Sequence, residues 1–300
     1  MKSQKLLTVA VMVVWWAVAL TAAPKAFLHH GSAEAARSQE TPAQSCADLN
    51  INFADHPAEV QSEERTISLA EAPSLSIQAQ ANGGLQVDGW DQQNYSVTLC
   101  KAAEAGSNAE MVLSQVHITY QAGQLGISGP PQNERWTAHL LVRAPKNAGL
   151  DLNVKNGPMD PSNLNGKLTV HGQNGPISVV NCAGELVLTA KNGPVTLEGN
   201  GGKQTVEAEN GPLDLSLEGN AWNGEGLQAS SKNGPVLLRI PSGYQSGVVV
   251  ESEGHSPFQC NSRVCSEGRK TWDDEHKRIE FGSGPMVVHV TTVNGPVSVH

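Results

Sequence analysis

Residues 174–194 read NGPISVVNCAGELVLTAKNGP. The stretch opens on Asn174-Gly175-Pro176 and closes on Asn192-Gly193-Pro194, 18 residues later. Between the triplets, Ile177 and Val179 alternate with Ser178, and Leu186 and Leu188 alternate with Val187 and Thr189. Side chains along a strand point to opposite faces with a period of two, so each half of the stretch is a short strand with one apolar face. Asn and Gly tolerate left-handed backbone, and Pro fixes φ while lacking an N–H, so the triplet reads as a corner between two strands.

The same unit recurs in both directions. Asn156-Gly157-Pro158 and Asn210-Gly211-Pro212 keep the 18-residue period, Asn233-Gly234-Pro235 follows after 23, and Asn294-Gly295-Pro296 is the last copy. Three and five residues after each Asn stand pairs such as Val195/Leu197, Leu213/Leu215, Val236/Leu238 and Val297/Val299. Six and four residues before it stand Leu150/Leu152, Leu168/Val170, Leu227/Ala229 and Val288/Val290, with Gln204 the one polar intrusion. A second glycine at Gly166, Gly184 and Gly202 splits each unit into halves. A single unit cannot bury its apolar face, whereas stacked units bury it continuously. The expected fold is therefore all-β: a single-stranded β-solenoid, β-helix- or β-roll-like, with two short strands per 18-residue coil and stacked Asn side chains able to bond along the array.

Composition agrees. The chain has 300 residues with 39% hydrophobic content but only 4% aromatic, 30 Gly and 17 Pro, which suits short strands joined by tight turns. Lys2 and Lys5 precede an apolar run from Leu6 to Ala23, so residues 1–35 read as a signal peptide, with an uncleaved membrane anchor as the alternative. Residues 36–65 read as a linker and 66–300 as the repeat domain, strict over 150–240 and with an irregular excursion at 251–282. Upstream of the strict repeats, Leu75 to Val87 repeats the strand-turn-strand pattern, and alternating runs at 95–100, 112–120 and 136–143 suggest longer coils or hairpins. The chain is thus expected to be exported to the periplasm, the cell surface or the medium.

The net charge of −9 excludes a phosphate-backbone partner, so nucleic acid is set aside. Five cysteines would meet an oxidising compartment after export. Cys260 with Cys265 is the expected loop-closing disulfide, Cys46 with Cys100 the second, and Cys182 is left over. No zinc-ligand spacing accompanies the close pair, and the position two after each turn Gly is apolar where a calcium β-roll needs Asp, so no metal or other cofactor is expected.

With these turns and spacings in view, residues 70–300 resemble the bacterial "putative adhesin" family of β-strand-repeat domains of unknown function. That family's turn places an acidic or small residue after the Gly, so the repeated Pro is a departure that leaves the strand spacing intact. The resemblance implies a β-solenoid at the cell envelope or outside it, and it brings no catalytic residues.

The leading functional expectation is a non-catalytic adhesin-like binding or envelope module, its partner a cell-surface glycan or envelope protein, with membrane contact only through an uncleaved N-terminal segment. Trp222, Trp90, Trp136 and Trp272 are the candidate ligand-binding residues, because an exposed aromatic face can stack on a sugar or anchor a protein. Trp222 stands in the insertion of the long repeat, with a fold-back over the stack edge as its structural alternative. The alternative function is a polysaccharide lyase or hydrolase on a β-helix, with Asp273, Asp274, Glu275 and His276 as its densest polar cluster. That cluster equally fits a solvated hairpin, since Arg269, Lys270, Lys277 and Arg278 flank it.

Overall fold

The computed structural model describes residues 43–53, 56–79, 82–131, 135–253, 256–260, 264–273 and 276–300. The N-terminal segment at 1–35 and the first part of the 36–65 linker lie outside the described residues. After a short 3-10 turn at Cys46–Asp48, the chain forms β1 (Ala58–Ser68), β2 (Ser74–Gln78), β3 (Leu85–Trp90), β4 (Asn94–Glu104), helix α1 (Ala109–Leu113), β5 (His117–Gln121), β6 (Gln124–Ser128) and β7 (Trp136–Pro145). The strict repeats follow as β8 (Gly149–Asn156), β9 (Met159–Ser162), β10 (Lys167–Asn174), β11 (Ile177–Val180), β12 (Glu185–Asn192), β13 (Val195–Gly199), β14 (Gly201–Asn210), β15 (Leu213–Leu217), β16 (Asn223–Asn233) and β17 (Val236–Arg239). The C-terminal part holds β18 (Gly247–Glu253), β19 (Phe258–Cys260), helix α2 (Val264–Glu267), β20 (Arg269–Trp272), β21 (His276–Phe281), β22 (Met286–Asn294) and β23 (Val297–Val299).

These strands form two large sheets, one of 12 strands and one of 11. Each repeat places the strand before its corner on the 12-stranded sheet and the strand after it on the 11-stranded sheet, and the next repeat pairs parallel alongside. The offsets are those of the sequence period: Leu168 lies opposite Leu186 and Ile177 opposite Val195. The apolar columns point between the sheets, where Leu152, Val170, Leu188, Val206, Met159, Val179, Val195 and Leu213 are fully buried. Gln204 is buried with them, and its amide donates to the carbonyls of Cys182 and Gly201, at 2.5 and 2.7 Å.

The corners bond from coil to coil. The Gly157 N–H donates to the Asn174 carbonyl and the Met159 N–H to that of Pro176, and the same pair of bonds recurs up the stack, so the donor that Pro lacks has no waiting acceptor. The asparagine side chains form a ladder in which each amide donates to the next Oδ1, from Asn294 through Asn233, Asn210, Asn192, Asn174 and Asn156 to Asn82, at 2.8–3.2 Å.

Both ends depart from the sequence reading. The linker expected to reach residue 65 gives way to β1, whose antiparallel pairing to β4 makes it the edge of the 11-stranded sheet. Only Ile67 of β1 is buried, so the strand shows no alternation to read. The alternating run at 112–120 is split between α1 and β5. Cys46 is joined to Cys100 of β4, and Cys260 to Cys265.

The excursion at 251–282 likewise contains ordinary members of the two sheets. β18 pairs parallel with β22 and β19 with β23, while β21 and β20 extend the 12-stranded sheet antiparallel. The last strands of the chain, β22 and β23, therefore lie between the pair β16 and β17 and the pair β18 and β19.

Candidate functional site

The strand before each corner presents outward rows on the 12-stranded sheet, and two of them line a groove. Three residues before the ladder Asn stand Asn153, His171, Thr189, Glu207, Ser230 and Thr291, and one before it stand Lys155, Gln173, Lys191, Glu209, Lys232 and Val293. The inward row between them is mostly small: Val154, Gly172, Ala190, Ala208 and Ser231. Small inward side chains let the wall dip toward the core, and a groove of about 910 Å³ runs along this line, crossing from Gln78 on β2 to Val293 on β22.

Because neighbouring strands are about 4.8 Å apart, a row repeated on every second coil recurs every ~10 Å. Lys155, Lys191 and Lys232 stand on β8, β12 and β16, which alternate with β10 and β14 in the sheet. Lys155 and Lys191 are exposed and form no ion pair among the described residues. Lys232 lies 3.9 Å from Glu209, and the two groove carboxylates, Glu207 and Glu209, both belong to β14. Across β8, β10 and β12 the groove is thus cationic, and its remaining polar groups are amides, a hydroxyl and a histidine: Asn153 and Gln173, Thr189, and His171, whose Nδ1 lies 2.5 Å from the Thr189 hydroxyl.

The tryptophans are placed elsewhere. Trp222 is only 7% exposed; its indole N–H donates to the Gly202 carbonyl at 2.9 Å and its backbone N–H to the Ser246 hydroxyl. Trp136 is buried too, beside a second cavity of about 540 Å³ at the Asn82 end of the ladder. His139 lines that cavity; its Nδ1 accepts the Gly84 N–H, and burial lowers its pKa. Trp90 is half-buried, donating to the Asn94 carbonyl beneath the Arg143 guanidinium. Trp272, 49% exposed, alone keeps an open face, with Phe258 at 5.7 Å and the Lys270 ammonium over its ring. Trp222 and Trp136 are thus buried and offer no exposed aromatic face, whereas Trp272 keeps one; a buried indole closes a packing gap, and that of Trp222 finds a carbonyl for its N–H.

The alternative catalytic cluster lies only partly within the described residues. Asp273 accepts the His276 N–H at 2.6 Å within the turn joining β20 to β21, and Asp274 and Glu275 lie outside the described residues. In a different carboxylate pair, Glu218 is raised above its ordinary value by partial burial and by a hydrogen bond to Glu198. Glu198 belongs to β13, on the other sheet from the groove. Cys182, the remaining thiol, is buried and pushed up to about 11.

The groove residues are outward positions, which the apolar columns do not mark. In the same alignment, the position one before the Asn holds Lys155, Lys191 and Lys232 in alternate coils.

No family model matches the chain, and none of the curated proteins matches it. Among solved structures it is similar to a "putative cell adhesion protein" of Clostridium sporogenes ATCC 15579, at 12% identity over 80% of this chain and 99% of that one, with a TM-score of 0.35. It is similar also to a "putative adhesin" of Bacteroides fragilis NCTC 9343, at 9% identity over 81% and 97% with a TM-score of 0.33. A "putative lipid binding protein" of Parabacteroides distasonis ATCC 8503 matches at 9% identity over 80% and 96%, also with a TM-score of 0.33. At such scores the functional reading rests on the chain's own geometry.

Proposed function

We propose that the chain is an exported, non-catalytic β-solenoid that acts as an adhesin-like binding or envelope module, engaging a surface glycan or envelope protein along its coil axis. The observation that carries the reading is the groove itself. It is built from two outward rows repeated from coil to coil, so its length comes from the repeat rather than from one specialised loop, as suits an extended partner. In-register parallel pairing at the sequence period supports the solenoid reading. Two disulfides and a lysine-led apolar N-terminus support export, since disulfides persist in oxidising compartments.

The test is retention of the purified mature protein on arrays of glycans and matrix proteins, with polysaccharide digests run alongside. Retention on at least one surface with no new reducing ends or unsaturated products is expected. Product release would establish the lyase or hydrolase alternative, and silence on every surface would reject the binding reading.

A further inference from the structure

We infer that the groove on the 12-stranded sheet takes a carboxylate-bearing polysaccharide, a polyuronate chain lying along the coil axis with its charges on Lys155 and Lys191. The inference rests on the binding-module reading and deepens it by naming the ligand class.

Three observations lead to it. Strands β8, β10 and β12 each have a neighbour on both sides, so the groove lies on a sheet face and offers no open edge to which a peptide strand could add. Recognition must run through side chains. Gln173 supplies an exposed amide that both donates and accepts, and the Asn153 amide, which gives one N–H to Asp151 Oδ1, and the Thr189 hydroxyl, which bonds to His171 and the Val170 carbonyl, add polar atoms that a sugar chain's hydroxyls can meet. Lys155 and Lys191 then add two exposed cations, ~10 Å apart along the axis, with no carboxylate partner among the described residues.

The electrostatics also limit the partner. The whole chain carries −9, and Glu207 and Glu209 close the cationic stretch at β14, so the stretch that accepts an anion is short and a polyphosphate backbone is repelled beyond it. A polyuronate bears a carboxylate on each sugar, and those of alternate sugars can meet Lys155 and Lys191 while the hydroxyls between them meet the groove's polar side chains. A charge spacing near the screening length of about 8 Å at physiological salt also means that binding weakens as salt rises.

The test measures binding of the mature protein to polygalacturonate and to dextran as a neutral comparator, at low and high salt, for wild type and Lys155→Glu/Lys191→Glu. Lys167→Glu/Lys203→Glu changes net charge equally at exposed sites outside the groove. Expected are salt-sensitive binding of polygalacturonate, a loss of about tenfold or more in the groove variant, and little change in the control variant. Lys155→Gln/Lys191→Gln, which removes charge without adding repulsion, should give an intermediate loss, and unchanged melting temperatures would show that folding is not the cause. Equal loss in groove and control variants would overturn the inference, as would stronger binding to dextran. Retention of wild type on other array surfaces with none on polygalacturonate would sink the polyuronate assignment while leaving the binding-module reading standing. Silence on all of them would remove both.

Discussion

Gly193 is constrained by the coil beside it as much as by its own turn. Its φ of +125° lies where L side chains rarely go, and a Cβ built on it would fall 2.3 Å from the Gly175 carbonyl oxygen. Backbone rather than a flexible side chain blocks that space, so nothing local can yield. Gly193→Ala is therefore expected to cost more than about 3 kcal/mol in chemical denaturation, beyond the ordinary range for one substitution. Gly199 is the matched comparison. It is also buried, but no atom lies within 4 Å of its added Cβ, and Gly199→Ala should stay within about 1 kcal/mol of wild type. Equal losses at the two positions would mean that close approach of stacked corners does not govern the triplet. The flanking Asn192 has a milder role: its amide bonds to Asn174 and its Oδ1 accepts from Asn210, and each bond contributes only about 0.5–1.5 kcal/mol.

The insertion that lengthens the fourth repeat shows how an element can look like a binding loop and be a packing device. Trp222 stands at its centre, buried, with its indole N–H on the Gly202 carbonyl and its backbone on Ser246. Trp222→Ala is expected to lower stability by about 3–5 kcal/mol, because it opens a cavity and strands the Gly202 carbonyl. Thermal melts check the loss, and ligand retention below the variant's melting point should match wild type; a stable variant that loses ligand would return Trp222 to the binding surface. What the sequence made legible follows from the same contrast. The inward columns, from Leu150 to Val299, could be read because a period of two inside a period of 18 leaves few arrangements that bury them. β1 could not, since only Ile67 is buried and exposed residues such as Glu59 and Glu64 interrupt any apolar pattern and keep a sheet edge from pairing further. The groove lay between: Lys155, Lys191 and Lys232 are periodic, but an isolated surface lysine carries no signal until the register places the three in one row.

At the scale of the molecule, the order of strands in space parts from their order in the chain. The sequence sets 251–282 apart as an excursion and makes Asn294-Gly295-Pro296 the last copy of the repeat. β22 and β23 accordingly pair beside β16 and β17, and Asn294 continues the ladder from Asn233, which lies 61 residues earlier. The difference turns on which pairs bury more. Val288, Val290, Val297 and Val299 are at most 1% exposed, packed between neighbours on both sides, and together their burial is worth on the order of 6–12 kcal/mol. That is comparable with the whole stability of a typical domain, about 5–15 kcal/mol. Deleting residues 286–300 should therefore do more than uncap an end. β18 and β19 lose their parallel partners, β16 and β17 become open edges, and the truncated protein should aggregate and lose its cooperative melt. Size-exclusion chromatography with thermal denaturation checks this. A truncated chain that stays monomeric and melts within a few degrees of wild type would mean that β18 and β19 can close the gap, which is possible only if their register with β16 and β17 buries as much as the native partners do.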